Sequence, residues 1–537
     1  MGARWLVRAV GATVVLAAVQ AGHWTPQLAS PPVHVLDVVP ASGGSLVTAA
    51  VQLASLLRHD KRKSVHIRLH RGHHRVPPGG LVLGAEHSPA VGHRVTWTSV
   101  DGRGEATVTS AVPVTGWTTA TTPAWLPPGT VVAAAPSAAL ANLSTIRHLW
   151  VDGVRASRTR VPVGTAVPGG LALAADGNGY IISGTPSGPS CAADHGTDQP
   201  CCGQGHGPVK EQFQCPATTP TCVGYVYDSH FGHCVGGAAP NGTRPAVTWA
   251  NPGEVEFVYS GVAQGWSEAR CAVHALANGS SGQEIQMRQP CFFNLVNRAW
   301  QPVNGNPPKY ADNIFAELSQ PGQFYYDGSS KRIFYVPLPG QDMSKVEAVV
   351  ASEETLITIG PGAANHHWDG VSFQYATWLR PGLAGGFVEQ QTAACDLCTV
   401  GDKHGVNCGS NDTYVITPGN VVVAGASDVE FTNCTFAHLG AYAAAALGGA
   451  QRVAWRGCRF VDVSAGAVML GDITNTVLNE TDPSKWDRDF VVEDCQIVNI
   501  PVEYTGATGV FAGYVHNTTI AHNHFANQTY SGMTIGW

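Results

Sequence analysis

The chain has 537 residues, of which 62 are glycine and 35 are proline; 44% are hydrophobic and only 13% are charged. Frequent glycine and proline exclude a long-helix or coiled-coil protein, and the high hydrophobic share excludes a disordered chain. The net charge of −7 is spread without a block of lysine or arginine, so neither nucleic acid nor an anionic membrane is expected as a partner.

The first 21 residues have the layout of a cleaved signal peptide. Arg4 and Arg8 precede an apolar run from Ala9 to Val19, and Val19 and Ala21 suit a signal peptidase. The run is too short to cross a bilayer comfortably, so we expect a secreted protein with no membrane insertion after cleavage. Fourteen cysteines and eight N-x-S/T sequons fit a disulfide-containing glycoprotein of the secretory pathway.

The last third of the chain repeats one alternating pattern. Segments beginning at Val429, Val453, Phe490 and Thr518 place buried-type residues at relative positions 0, 2, 5 and 7. Position 5 recurs at spacings of 24, 37 and 28 residues, which indicates stacked coils of a parallel β-helix with loop insertions. We expect the residues at this position to form an inward ladder: Cys434, Cys458, Cys495 and Asn523.

A second strand follows each copy, and in three coils a glycine closes it. The residue after that glycine is Asp472, Tyr514 or Trp537. If the coils stack, these three residues form one column on the outer surface.

The presence or absence of a repeating hydrophobic pattern divides the rest of the chain into predicted regions. Residues 22–139 are expected to hold an N-terminal cap, with a helix over 45–59, and the first coils. Residues 140–350 break the period and are typical of a β-sandwich-like insertion. Within it, residues 191–234 carry six cysteines and predict a disulfide-stapled module of undetermined pairing. Residues 351–537 are the later coils.

Several stretches carry motifs of a known architecture. They are Leu69–Val76, Leu149–Arg158, Val255–Tyr259, Gly322–Asp327 with Arg332–Pro337, and the repeats from Val371 to Trp537. Together they resemble the secreted right-handed parallel β-helix proteins of the pectin-lyase superfamily, and most closely glycoside hydrolase family 141. The resemblance implies an all-β fold with an inserted β-sandwich domain, and hydrolysis of a wall or matrix polysaccharide in a cleft on the helix flank.

The resemblance to the family breaks off at the C-terminal end of this sequence. Members of the family continue past the equivalent of Gly536 and Trp537 with further coils, one of which carries an acidic Asp-Gly-Gly-type motif. We therefore expect the sequence to be a fragment whose active site lacks a carboxylate.

Hydrolysis of a glycosidic bond ordinarily uses two carboxyl groups. Among the acids of the repeat region, Asp472 follows a core strand and Glu503, beside Tyr504, precedes the next one. We predict Asp472 and Glu503 as catalytic acids, with ordinary turn carboxylates as the alternative. Aromatic or imidazole side chains that can contact a sugar complete the predicted site: Tyr514, His516, His522, Tyr530 and Trp537.

Neither a metal nor a cofactor is expected. One cluster approaches a zinc knuckle with its spacing off by one residue, and a disulfide is favoured there: Cys395, Cys398, His404 and Cys408. Four alternating histidines are typical of a solvated face: His66, His70, His73 and His74. The expected partner is a polysaccharide or oligosaccharide bound by a monomer. The alternative function is a non-catalytic extracellular β-helix that binds glycan or another surface.

Overall fold

The computed structural model describes the chain from residue 33 to residue 536 with gaps. The described ranges are 33–40, 45–121, 123–135, 145–168, 170–174, 177–182, 221–223, 233–235, 247–260, 266–279, 282–297, 308–396, 399–401, 405–407 and 414–536.

Three parallel sheets form the body of the protein; after the first strand, His34–Val38, each coil contributes one strand to each sheet in turn. Sheet 1 consists of His34–Val38, Val65–Leu69, Val95–Ser99, Ala364–Asp369, Ser427–Thr432, Gln451–Arg456, Val491–Glu493 and Thr519–Ala521. Sheet 2 consists of Gly72–Arg75, Ala106–Thr109, Ser372–Ala376, Thr435–Leu439, Arg459–Val463, Gln496–Val498 and His524–Ala526. Sheet 3 consists of Leu81–Leu83, Ile357–Ile359, Gly419–Ala424, Tyr442–Leu447, Val468–Leu470, Val510–Ala512 and Met533–Ile535. The chain is therefore all-β and β-helix-like, which agrees with the predicted class at this level.

The ladder predicted inside the coils is confirmed. The register of sheets 1 and 2 places Cys434, Cys458, Cys495 and Asn523 at the same position of successive coils. The three cysteines are at most 1% exposed. Asn523 ends the ladder by accepting a hydrogen bond from the Cys495 backbone N–H at 2.9 Å, so its amide replaces a thiol without leaving polar atoms unpaired.

Inward-facing aromatic residues stack between coils in the same way. The ring centroids of Trp97 and Trp368 are 4.6 Å apart with nearly parallel planes, and those of Phe436 and Phe460 are 4.8 Å apart. The spacing follows from the separation of about 4.8 Å between paired strands. Each coil therefore buries its large side chains against identical positions of its neighbours.

The helix predicted over residues 45–59 is present as Ser45–His59. Leu53 and Leu57 are fully buried and join the core of the first coils. Three shorter helices are Val163–Ala166, Cys291–Asn297 and Asn475–Leu478.

The coil that includes Ala106–Thr109 is interrupted between its sheet 2 and sheet 3 strands. From Ala111 to Ala351 the chain forms mostly antiparallel sheets, and it rejoins sheet 3 at Ile357. One sheet contains Val154–Arg155, Leu149–Val151, Ala348–Ala351 and Ala111–Pro113; the next contains Ser157–Arg158, Gln323–Asp327, Arg332–Tyr335, Val131–Ala134 and Thr118–Thr119. The largest contains Arg160–Pro162, Tyr310–Asp312, Glu256–Ser260, Glu268–Gly279, Gly282–Met287, Gly179–Ile182 and Leu171–Leu173, and extends through Phe387–Gln391, Ala394–Asp396 and Tyr414–Ile416. The antiparallel strands thus begin before the predicted boundary at residue 140; the domain assignment itself stays a prediction.

A disulfide joins Cys271 to Cys291 in this antiparallel region, and no sequence pattern had predicted it. Of the predicted cysteine-rich module, the structure describes the antiparallel strands Thr221–Val223 and His233–Val235, with Cys222 opposite Cys234. The rest of residues 191–234 lies outside the described residues. Two more short strands, Thr399–Gly401 and Gly405–Asn407, pair with each other in antiparallel orientation.

No helix in the described part of the chain is long and apolar enough to cross a membrane.

Candidate active site

One residue in each of five successive coils adopts a left-handed backbone at the end of its sheet 2 strand. These residues are Tyr375, His438, Asp462, Asn499 and Asn527, with φ between 51° and 59°. The strand register makes them equivalent, so they form one row along the corner between sheets 2 and 3. Asparagine, aspartate and histidine are enriched in this backbone conformation, whereas tyrosine rarely adopts it. Residues held in such a conformation cluster at functional sites.

Asp462 is the central acid of this row. Its carboxylate accepts hydrogen bonds from Arg155 Nε at 2.6 Å, Trp150 Nε1 at 2.9 Å and His438 Nδ1 at 2.7 Å. Burial opposes its charge, but Arg155 and His438 outweigh that effect and lower the pKa of Asp462. Asp462 is therefore ionised at neutral pH.

Glu503 comes from the next coil and lies beside the same arginine. Its Oε2 accepts hydrogen bonds from His148 Nε2 and Ser464 Oγ, both at 2.7 Å, and Arg155 Nη1 lies 3.7 Å away. The Arg155 guanidinium thus bridges the carboxylates of Asp462 and Glu503. Both side chains keep a small exposed fraction, 20% and 16%, so the pair is accessible from one side.

The protonation state around Glu503 follows from burial and hydrogen bonding. Burial lowers the pKa of His148 to about 4, so this imidazole is neutral at pH 7 although Glu503 favours its charged form. His148 Nδ1 accepts from Thr377 Oγ1 at 2.9 Å, which leaves the proton on Nε2 for Glu503. Burial also disfavours charge on Glu503, but His148, Arg147 and Arg155 together hold its pKa well below the ordinary value.

Aromatic rings surround the two carboxylates. Tyr375 stacks on His438 with ring centroids 5.0 Å apart, and the edge of Trp150 meets Tyr375 at 5.2 Å. The Arg155 guanidinium lies 4.9 Å from the centre of the Trp150 ring. These contacts fix the planes of the charged groups and supply an apolar wall of the kind that sugar rings stack on.

The position of the insertion explains how this site is assembled. The chain leaves the coils at the corner between sheets 2 and 3, where the left-handed row lies. The strand Leu149–Val151 and the turn that follows it return to that corner and bring Trp150 and Arg155 onto Asp462. The site therefore combines acids of the coils with donors of the insertion.

The structure separates the two acids predicted as a catalytic pair. Glu503 lies beside Ser464, before the sheet 3 strand Val468–Leu470, whereas Asp472 lies beyond the other end of that strand. The Asp472 carbonyl accepts the Tyr514 backbone N–H at 2.9 Å, so these two residues do neighbour each other in the predicted column. Trp537, the third member, lies outside the described residues.

The other predicted contacts are dispersed. His516 lines a groove with Tyr514, on the side of Asp472. His522 lies at the turn between sheets 1 and 2; its side chain is 78% exposed and lies 3.7 Å from Asp494. Tyr530 follows Thr529, whose hydroxyl donates to the Thr505 carbonyl, so it lies one coil beyond the corner of Glu503.

Sequence reasoning gave no role to the other members of the cluster: His148, Trp150, Arg155, His438 and Ser464. It counted Asp462 only as one of several available acids. A usable signal existed, because relative position 9 of the four repeat copies is always polar: His438, Asp462, Asn499 and Asn527. The residues of the insertion share no period with the coils, but Trp150 and Arg155 fall within the Leu149–Arg158 motif, which was a signal of a different kind.

Of the cluster for which a disulfide was favoured over a zinc knuckle, Cys398, His404 and Cys408 lie outside the described residues. In the described part of the chain, no three His, Cys, Asp or Glu side chains are grouped so that they could hold a metal ion.

Comparison with known proteins supports the fold. A solved structure titled "Glycoside hydrolase" superposes with a TM-score of 0.69 at 18% identity, covering 94% of this chain and 80% of that chain. A second, titled "The complex structure of XylC with xylose", has a TM-score of 0.30 at 9% identity over 88% of this chain and 56% of that chain, which is too low to carry an argument. No protein-family model and no curated protein matches the sequence. The chain thus has a glycoside hydrolase-like fold.

Proposed function

We propose that the protein is a glycoside hydrolase that cleaves a wall or matrix polysaccharide, with Asp462 and Glu503 as its two carboxyl groups. The observation that carries the proposal is the bridging of these partly exposed carboxylates by one arginine, Arg155, in a glycoside hydrolase-like fold. Two carboxyl groups on either side of the scissile bond are what glycosidic hydrolysis ordinarily requires.

The surroundings of each acid suggest its role. Glu503 is held ionised by His148 and Arg155 and has a hydroxyl donor in Ser464, so it suits the base or nucleophile. Asp462 shares a hydrogen-bonded proton with His438 at 2.7 Å, at the more exposed end of the cluster. Because Asp462 is ionised, the shared proton lies on His438 Nδ1, and we assign the proton donor to the imidazolium form of His438. Its ring gives one proton to the leaving oxygen, stays hydrogen-bonded to Asp462 as the neutral imidazole and regains the proton from water.

The finer assignments belong to the same proposal. The sequence resemblance supports family 141, a right-handed pectin-lyase-like helix and a β-sandwich-like insertion. The N-terminal signal-like segment supports secretion, and we expect the protein to act as a monomer. Asp472 stays a predicted acid, at a position that does not contact Glu503.

Matched acid-to-amide variants test the proposal. Reducing-sugar release from arabinoxylan, xyloglucan, polygalacturonate and rhamnogalacturonan identifies the substrate of the native chain. On that substrate, Glu503→Gln and Asp462→Asn should each lower kcat by about 10²-fold or more. Asp494→Asn is the control, because Asp494 has the same left-handed backbone in the following coil and a side chain 64% exposed.

Two results would contradict the assignment. Full activity of both variants would remove Asp462 and Glu503 from the chemistry, and an equal loss in Asp494→Asn would make the effect structural. Binding of a polysaccharide without any turnover by the native chain would favour the alternative, a non-catalytic glycan-binding protein.

A further inference from the structure

A second groove lies at the opposite end of the sheet 3 strands from Glu503. Its volume is about 380 Å³, within the range of small-ligand sites. One side is formed by the turns at Pro361, Gly425 and Gly448–Gly449, and the other by residues 476–487 with Tyr514 and His516.

The floor of this groove is bare backbone. Gly425 and Gly448 occupy equivalent turns of successive coils, with φ of 61° and 68°. A Cβ at Gly449 would lie 3.2 Å from the Lys485 carbonyl, so the loop rests directly on the floor. Glycine turns stacked in this way leave a flat surface that a ring can approach closely.

The wall is a fixed aromatic pair. The Trp486 indole stacks on the His516 imidazole with centroids 4.0 Å apart and an angle of 11°. Trp486 Nε1 donates to the Glu480 carbonyl at 2.9 Å, and Gln451 Nε2 donates to the carbonyls of Pro483, Ser484 and Trp486 at 2.9–3.4 Å. The loop is therefore held in place before any ligand binds, which reduces the entropy lost on binding.

The polar groups of the groove are mainly acidic. Asp487 accepts the Gly449 and Ala450 backbone N–H groups at 2.9 Å, and Glu480, Ser484 and Lys485 complete the lining. Carboxylate and hydroxyl groups beside an aromatic face suit sugar hydroxyls and pyranose C–H surfaces. Lys485 Nζ lies 3.6 Å from the Glu480 carboxylate, and Asp487 is only 2% exposed, so the one lysine of this lining is already paired and offers little attraction to an anionic ligand.

We propose that this groove is a second carbohydrate-binding site that holds a neutral polysaccharide, separate from the Asp462–Glu503 pair. This inference rests on the proposed function in one respect, the choice of a carbohydrate as the ligand. A site on a different corner of the same coils would keep a polymer on the protein while another part of it reaches the carboxyl pair.

The test is affinity gel electrophoresis of Glu503→Gln, which removes turnover, in gels containing arabinoxylan, xyloglucan or polygalacturonate. We expect retardation by a neutral polysaccharide, and adding Trp486→Ala should weaken it about tenfold or more. Trp486→Phe should restore part of the binding. Trp125→Ala, which removes a 46% exposed tryptophan of the insertion, is the matched control.

Trp486→Ala could weaken binding by disrupting the loop of residues 476–487, and His516→Ala controls for this because the hydrogen bonds of Trp486 and Gln451 remain in it. His516→Ala should also weaken retardation. Unchanged retardation in both groove variants, retardation by polygalacturonate alone, or none by any of the three polymers overturns the proposal. The two proposals fail separately. If the native chain shows no turnover but its binding depends on Trp486, the groove proposal stands and the enzyme proposal fails. If the native chain shows turnover but binding does not depend on Trp486, the enzyme proposal stands and the groove proposal fails.

Discussion

Asp487 gives the most direct test of the electrostatics of this fold. Its side chain is 2% exposed, and Oδ1 accepts the backbone N–H groups of Gly449 and Ala450. Burial raises the pKa of Asp487 from 3.8 to about 6, although the two N–H groups act in the opposite direction. The carboxyl is therefore ionised in the folded protein at pH 8 at a cost in stability.

The sign of the pH dependence follows from the two pKa values. In the unfolded chain the carboxyl loses its proton near pH 3.8, whereas in the folded chain it keeps the proton until about pH 6. The folded state binds more protons in this interval, so the free energy of unfolding falls as pH rises through it and is constant above. At 1.36 kcal/mol for each pH step, the loss is about 3 kcal/mol.

Asp487→Asn removes the charge and keeps an oxygen for the two N–H groups. The amide nitrogen replaces the second carboxylate oxygen, which costs about 1 kcal/mol for an altered hydrogen bond. We therefore expect the variant to be more stable than the native chain by about 2 kcal/mol at pH 8 and less stable by about 0.5 kcal/mol at pH 4, where the unfolded carboxyl is already half ionised.

The assay is urea unfolding of the native chain and the variant at several pH values from 4 to 8. Asp494→Asn, with its side chain 64% exposed, is the control and should give a small difference that does not change with pH. A constant difference between Asp487→Asn and the native chain, without a change of sign, would refute the argument from burial.

One further variant probes the candidate active site, and another probes the packing of the chain that follows Glu503. Trp150→Phe removes the Nε1–H donor to Asp462 and keeps an aromatic ring, so kcat should fall about tenfold or more and the acidic limb of the pH–rate profile should move to higher pH. Trp150 and Trp455 are both fully buried, so the smaller ring should lower the thermal midpoint in either variant. Trp455→Phe, whose Nε1 has no acceptor among the described residues, should leave kcat unchanged. Gly506→Ala places a Cβ in steric conflict with the Trp266 carbonyl and the buried Glu389 carboxylate, so it should lower the free energy of unfolding by about 1–3 kcal/mol. Gly164→Ala, whose Cβ would have nothing within 4 Å, should not lower it. Equal losses of kcat in the two tryptophan variants, or equal losses of stability in the two glycine variants, would contradict the respective expectation.

The repeat by itself determined the coil architecture. Stacked coils place equivalent positions of the sequence side by side, so a shared pattern predicts contacts between residues two dozen or more positions apart. For this reason the buried ladder of Cys434, Cys458, Cys495 and Asn523, and the neighbourhood of Asp472 and Tyr514, followed from spacing alone. The helix over residues 45–59 followed from its own local periodicity.

Only the tertiary structure decided which acids meet. Trp150 and Asp462 are 312 residues apart, and Arg155 reaches Asp462 from the same distant insertion. The insertion shares no period with the coils, so its place on their surface depends on packing and on long-range loop closure, which local sequence does not encode. The same packing put Glu503 beside Arg155 and left Asp472 at the far end of its strand. The sequence repeat determines which residues of successive coils are neighbours. The packing of the non-repeating insertion determines which donors meet the acids at the corner between sheets 2 and 3.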